Sequence, residues 1–163
     1  AAMDALTAAM TNLAVIATRV AAKLQDAPVS LLPPFLGLLD GRDYLGCLPM
    51  AMVGYEEEMR LLAQPTLLPG SESGGFAQDD VASPVFLAWS KQEKAGELLE
   101  LTLASLAPVA KRAYEVTGRP VPAALRSLGA EIKRHFPDDG DAAAMGPRCA
   151  ALAAAFRADI YKA

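Results

Sequence analysis

The stretch Lys94-Ala95-Gly96-Glu97-Leu98-Leu99-Glu100-Leu101 decides how the fold is predicted, because it places a glycine between two apolar helical segments. Those segments extend from Ser83 to Leu106, and a glycine between helices commonly marks a turn. The stretch therefore predicts a helical hairpin with its turn at Gly96, although one helix that absorbs the glycine fits the same residues. Similar units of helix, glycine turn and helix can be placed around Gly41 and Gly140.

These units predict three helical hairpins, at Val29 to Ala63, Ser83 to Ala107 and Pro122 to Tyr161. Stacked helical hairpins form solenoids, which usually serve as surfaces for holding a partner. The turn glycines lie 55 and 44 residues apart, so a strict repeat requires an insertion at 65–82 and an extra helix at 108–117. An irregular helical bundle, in which each turn has its own glycine, is the alternative.

The composition favours an all-α fold of about seven helices in one domain, residues 1–163. The chain is 53% hydrophobic, but 33 of its 163 residues are Ala. Alanine has the highest helix propensity and allows helix axes to approach closely. Aromatic and β-branched residues, which sheets prefer, are few.

The first helix is predicted from apolar residues that recur at spacings of three and four, with Asp4 available as its cap. One face of this helix is expected to be buried in the core. The residues of that face are Leu6, Met10, Leu13, Ala17, Val20 and Leu24.

A flexible arm is predicted at 65–82, where Pro, Gly and Ser are frequent and the segment is too long for a tight connection. Leu67, Leu68 and Phe76 are apolar residues within this otherwise polar arm. Apolar side chains on a mobile segment are candidates for docking onto another protein. They form the predicted partner interface, and a loop that covers its own core is the alternative.

The charge pattern argues against nucleic acid and against a membrane span. The formal net charge is −4, and the 15 Lys and Arg are scattered along the chain, so no positive field attracts a phosphate backbone. The uncharged run Ala5 to Thr18 is shorter than the roughly 20 residues that a span requires. The chain is expected to be soluble. It begins Ala1-Ala2-Met3, as a processed chain, a trimmed one or part of a longer one would.

Cys47 and Cys149 are the two cysteines, about a hundred residues apart and without a CxxC motif. We expect two reduced core thiols in a reducing compartment.

No residue set predicts catalysis, a metal or a cofactor. Glu131 and His135 lie on one helical face, but two ligands do not complete a metal site. No G-x-S-x-G or S-x-x-K motif surrounds a serine. Three further carboxylates could align on a helix but lack the histidines of a di-iron bundle, so a solvated face is expected: Glu93, Glu97 and Glu100.

Two stretches resemble the pentatricopeptide repeat family. Leu36-Gly37-Leu38-Leu39-Asp40-Gly41-Arg42-Asp43-Tyr44 continues to Tyr55-Glu56-Glu57-Glu58-Met59 and Pro65, as in a unit of about 35 residues that closes on an acidic stretch, a Met and a later Pro. The stretch around Gly96 is similar to the turn of the same unit. Members of this family are typically organellar and read single-stranded RNA through polar side chains of the first helix in each repeat.

The candidate first helices of this chain depart from that use, because Val29 to Phe35 and Val85 to Trp89 offer almost no polar side chain to a base. The resemblance therefore implies a protein-binding version of the fold. Such a protein would be an accessory subunit that binds a larger protein partner or complex, in a mitochondrial assembly such as the F1 region of ATP synthase. A helical bundle around a small apolar ligand is the second hypothesis and predicts a closed cavity of several hundred Å³. RNA binding is the third.

Overall fold

A computed structural model describes the structure at residues 1–37, 45–66, 85–137 and 144–160, apart from the side chains of residues 159 and 160. These residues form helices and turns, without a strand among them, which confirms the predicted all-α fold. The α-helices are α1 (Ala2–Gln25), α2 (Ala27–Ser30), α3 (Leu48–Leu62), α4 (Val85–Val116), α5 (Arg126–His135) and α6 (Met145–Ile160). Short 3-10 turns occupy Pro34–Gly37, Leu45–Cys47 and Ala123–Leu125.

Helices α1 and α3 run antiparallel, because contacts between them pair opposite ends. Thr11 Oγ1 lies 3.2 Å from the carbonyl oxygen of Met59, and Gln25 Nε2 lies 3.5 Å from that of Leu45. The buried Thr11 hydroxyl also donates to the carbonyl of Thr7 at 2.8 Å. The side-chain hydroxyls on the inner face of α1 thus find partners within their own helix.

Helices α1 and α4 run parallel and share the most extensive helix–helix contact in the described bundle. Met10 of α1 approaches Gly96 of α4, while Ala17 and Ala21, later in α1, lie in one cluster with Val109. Helix α6 is antiparallel to α4, since Ser105 contacts Cys149 and Glu100 pairs with Arg157.

The predicted hairpin turn at Gly96 is wrong, because Gly96 lies inside the continuous helix α4. Glycine in a helix interior costs about 1 kcal/mol relative to Ala, and packing against α1 offsets that cost. The helix also continues through Pro108, where the sequence predicted a kink or a new start. Without the Gly96 turn the packing is that of an irregular bundle, and the solenoid is not confirmed. The other two turn glycines, at positions 41 and 140, lie outside the described residues.

The buried face of α1 differs from the predicted one. Leu6, Leu13 and Val20 are exposed, and the helix instead buries mostly small residues: Thr7, Thr11, Ala14, Ala17, Thr18, Ala21 and Gln25. Small side chains let α1 lie close to both α3 and α4, so that more backbone surface is removed from water than a Leu-lined face would allow.

Two apolar clusters form the core. The smaller one joins Ala14, Met59, Ala95 and Leu98 from α1, α3 and α4. The larger one joins the carboxyl-terminal halves of α1 and α4 with α6, and it includes all of the described buried side chains of α6, among them Leu152. Met52 and Met59 are fully buried, as expected for core methionines, whereas Met50 on the same helix is exposed.

Helix α1 is the one helix, among those described, that is long and apolar enough to cross a membrane by length and composition. A third of its most apolar window is buried inside the bundle. One such helix is weak evidence for a span, because core helices of soluble proteins have the same length and composition.

Candidate functional site

The candidate site lies where α4 ends and the chain returns as α5. Helix α4 stops at Val116, and Gly118 adopts a left-handed conformation (φ +66°) that a residue with a side chain rarely takes. Tyr114 donates its hydroxyl to the carbonyl oxygen of Pro120 at 2.7 Å. This bond folds the connection back along α4, so that α5 lies beside the second half of α4.

Helix α5 packs loosely, because Ile132 is its only buried residue. Leu125 and Leu128 are not buried with Ile132. Both are more than 40% exposed, as is Val121 in the preceding connection. Three large apolar side chains therefore remain in water beside α4.

These side chains line an apolar groove of about 500 Å³, which is open to solvent along one side. We call it the α4–α5 groove. Its floor is almost entirely apolar, and its size lies within the range of pockets that bind a ligand or anchor side chains. The lining residues are Ala107, Ala110, Lys111, Tyr114, Glu115, Val121, Leu125, Arg126, Leu128, Gly129, Ala130, Ile132 and Lys133.

The rim of the groove is basic. Lys111, Arg126 and Lys133 line it together with a single acid, Glu115, which pairs with Lys111. Residues 108–137 contain six Lys and Arg against two Glu, a net charge of +4 in a chain whose formal charge is −4. Six of the 15 Lys and Arg of the chain thus lie in this one contiguous segment, so the basic residues are less evenly scattered than the sequence as a whole indicates.

A smaller cavity of about 70 Å³ lies next to the groove and shares Lys111, Glu115 and Ile132 with it. Arg112 also lines it and donates its Nε hydrogen to the carbonyl oxygen of Leu36 at 3.2 Å. This contact ties the connection after α2 to α4. The small cavity therefore lies where this connection packs against α4. Its Arg112 adds a further cation beside the basic rim.

Two ionisable side chains in the described core have a raised pKa. Burial raises the pKa of the Cys149 thiol, and Ser105 lies 3.5 Å from its sulfur. Burial also raises the pKa of Tyr55. A buried thiol kept protonated is a poor nucleophile. Neither Cys47 nor Cys149 is in a disulfide.

Three of the other candidate residues, Glu100, Glu131 and His135, are engaged in hydrogen bonds or ion pairs. Glu131 lies 3.1 Å from His135 Nε2 and 2.7 Å from Arg134, and Glu100 pairs with Arg157. Among the described residues, no three His, Cys, Asp or Glu side chains come together as metal ligands.

The three consecutive glutamates at 56–58 differ in exposure because they point to different sides of α3. Glu56 is buried and pairs with Arg60 at 2.6 Å, while its two neighbours are exposed. One acidic side chain therefore contributes to the packing of α3.

The predicted interface residues Leu67, Leu68 and Phe76 lie outside the described residues, as does the arm from residue 67 onward. The groove was missed because its leucines have the spacing of an ordinary core face. The available signal was the run of Lys and Arg around them, since a core-facing helix with a basic flank also suits a surface that binds an acidic partner.

The fold and the groove define the class of protein as an all-α helical bundle with an open apolar groove. No family model matches this chain, and no curated protein or solved structure matches it either.

Proposed function

We propose that this protein is a non-catalytic helical binding module that holds a larger protein partner in the α4–α5 groove. The observation that carries the proposal is the groove itself, with large apolar side chains exposed along about 500 Å³ of open space. Full burial of a Val or Leu side chain stabilises by about 1.5–3 kcal/mol. Val121, Leu125 and Leu128 are 41–46% exposed, so somewhat less than half of that free energy is available from burial by a partner.

The charge of the rim specifies the chemistry of the docking segment. A segment that places apolar side chains on the floor brings its flanks beside Lys111, Arg126 and Lys133. Acidic flanks on the bound segment would complement these cations and speed association. An amphipathic helix with an apolar face and acidic edges satisfies both requirements.

The two other hypotheses fit the groove less well. A small apolar ligand was expected to occupy a closed cavity, whereas this groove is open along one side. Single-stranded RNA is held by aromatic stacking platforms together with basic grooves, and Tyr114 is the one aromatic side chain lining this groove. The open side thus favours a protein segment over a small ligand, and the lack of further aromatic side chains favours it over RNA.

The setting of the complex is part of the same proposal. The pentatricopeptide resemblance favours an accessory subunit in a mitochondrial assembly, such as the F1 region of ATP synthase. With Gly96 inside α4, the resemblance rests on the stretches at 36–44 and 55–59. Location and partner identity are therefore proposed on sequence grounds, and the groove supports only the mode of binding.

The proposal is tested by comparing two charge insertions in the full chain. Leu128→Arg places a cation on the groove floor, and Leu61→Arg places one at an exposed position of α3 outside it. Native pull-downs analysed by mass spectrometry should recover the same partner with the unmodified chain and with Leu61→Arg, and at least ten-fold less with Leu128→Arg.

Thermal unfolding monitored by circular dichroism checks that both variants are folded. A partner retained by Leu128→Arg would place binding elsewhere on the bundle. Saturable binding of a fatty acid to the purified chain, abolished by Leu128→Arg, would favour the small-ligand hypothesis instead. A shift of labelled single-stranded RNA that weakens steeply with salt would revive RNA binding.

A further inference from the structure

The outer face of α1 is an exposed row of six apolar residues with Lys23 at its carboxyl end, and it faces away from the core. Its residues alternate at spacings of three and four along the whole helix, and we call them the α1 seam: Ala2, Leu6, Ala9, Leu13, Ile16, Val20 and Lys23. All seven are exposed, including Leu13 at 55% and Ile16 at 59%. The seam spans the 22 residues from Ala2 to Lys23, which is about 31 Å at 1.5 Å per residue step.

The spacing of the seam is that of a heptad repeat. Leu6, Leu13 and Val20 occupy one core position of the heptad, seven residues apart, and Ala2, Ala9 and Ile16 occupy the other. Apolar residues confined to these two positions form the narrow contact of a coiled coil, whereas a helix buried in a domain core has a wider stripe. The surface is therefore shaped for one further helix.

We propose that the second helix is α1 of another copy of this chain, packed antiparallel about a two-fold axis. In an antiparallel pair, residues at one core position of the heptad pack against residues at the other core position of the second helix. Leu6 therefore packs against Ile16 of the partner subunit, and Ala9 packs against Leu13 of the partner subunit. Ala2 meets Val20 of the partner subunit in the outermost layers. Most layers thus pair a large side chain with an alanine, which lets the two helices approach closely, and a two-fold axis makes the contact self-complementary.

The charges select the antiparallel orientation. Arg19 and Lys23 lie at the carboxyl end of the seam. In a parallel pair the two copies of Lys23 would face each other at a core position, and like charges at contact distance are unfavourable. The antiparallel register separates them by about 35 Å along the axis, well beyond the screening length of about 8 Å at physiological salt.

The surroundings of the seam also suit a protein contact. Its outer flank carries Asn12 and Arg19, both exposed. On the inner flank Met10 and Trp89 line a shared groove, and Trp89 is 61% exposed. An exposed Trp beside an apolar seam is typical of interfaces between proteins. This contact lies on α1 and is separate from the α4–α5 groove.

The oligomeric state tests the proposal. Sedimentation equilibrium of the full chain should show twice the chain mass at micromolar concentration. Leu13→Glu, which places one carboxylate from each copy near the two-fold axis, should raise the dimer dissociation constant at least 100-fold, whereas the control Leu61→Glu on α3 should leave it unchanged. A monomeric wild-type chain, or equal effects of the two variants, would overturn the proposal.

Disulfide trapping tests the register and does not depend on how Leu13→Glu folds. Leu6→Cys and Ile16→Cys face each other only across the antiparallel pair, so oxidation should link the two variants when they are mixed and neither variant alone. Cross-linking within each variant alone would show a parallel pair. A chain that stays monomeric but floats with anionic phospholipid vesicles, and loses flotation on Leu13→Glu, would assign the seam to a membrane surface and overturn the dimer.

Discussion

Helix α4 packs closely against α1 and α3 but loosely against α5. The first half of α4 packs against α1 and α3 through small residues such as Ala95. Ala14 of α1 and Met59 of α3 are fully buried in this contact. The second half of α4 faces the large side chains of α5, yet leaves Leu125 and Leu128 exposed beside an open groove. Burial therefore depends on how closely two helix axes approach, and small residues permit the closer approach.

Helix α1 shows the same contrast between its two faces. The inner face of Ala and Thr is buried, while Leu13 and Ile16 on the outer face are exposed. On α1 and at the α4–α5 groove, large apolar side chains thus lie at exposed positions. The following predictions test whether the tight and the open region differ as the structure indicates.

The largest effect is expected from a cavity in the tight region. Met59→Ala removes a fully buried side chain and should lower the free energy of unfolding by about 2–5 kcal/mol, through lost burial and an unfilled cavity. Urea denaturation measures the change. Met50→Ala, at an exposed position of the same helix, is the control and should change stability by less than about 0.5 kcal/mol. Similar losses for both variants would contradict the assigned face of α3.

An added side chain should distinguish the two regions directly. Ala14→Leu inserts three carbons where α1 meets α3 and α4 and should cost about 1–3 kcal/mol through overpacking. Ala110→Leu adds the same atoms beside the α4–α5 groove, where space is available, and should stay within about 0.5 kcal/mol. If Ala110→Leu is as destabilising as Ala14→Leu in the same urea titration, the groove is closed in solution.

Gly96→Ala tests whether position 96 is helical. A Cβ there would lie 3.4 Å from Met10 Cε, the flexible end of a side chain. The gain in helix propensity should therefore raise stability by about 0.5–1 kcal/mol. Gly54→Ala in α3, which has no neighbouring atom within 4 Å, gives the gain without that contact. A loss of stability on Gly96→Ala alone would support the hairpin turn.

The smallest effect is a pH dependence at the amino end of the tight region. The Thr66 hydroxyl donates to Asp4 at 2.8 Å and is the main cause that lowers the pKa of this carboxyl. A lowered folded-state pKa contributes stability above the unfolded value of about 3.9, and the contribution is lost as pH falls through the folded pKa.

Asp4→Asn should therefore be less stable than the unmodified chain near pH 6, and the gap should narrow below about pH 4. Thermal unfolding across this pH range measures the gap. In a Thr66→Val background the same substitution should show a smaller pH dependence. An unchanged gap across the range would mean that Thr66 does not hold the carboxylate in solution.

The helices themselves were predictable from local signals. Pro49 lies in the first turn of α3, and Gly118 and Pro120 follow the end of α4, because Pro and Gly act on the backbone of their immediate neighbours. The prediction of a turn at Gly96 was wrong because a glycine between two apolar segments is compatible both with a turn and with one long helix. Only the contact with α1 distinguishes the two.

The sequence by itself determined an all-α chain with its main helix ends, since helix propensity and the special backbones of Pro and Gly act over a few residues. The tertiary structure alone decided which face of α1 is buried, whether α4 continues through Gly96, and that Leu125 and Leu128 border an open groove. Those outcomes depend on the distance between helix axes that are far apart in the chain. An apolar pattern shows that a face can be buried, and only the neighbouring helices determine whether it is.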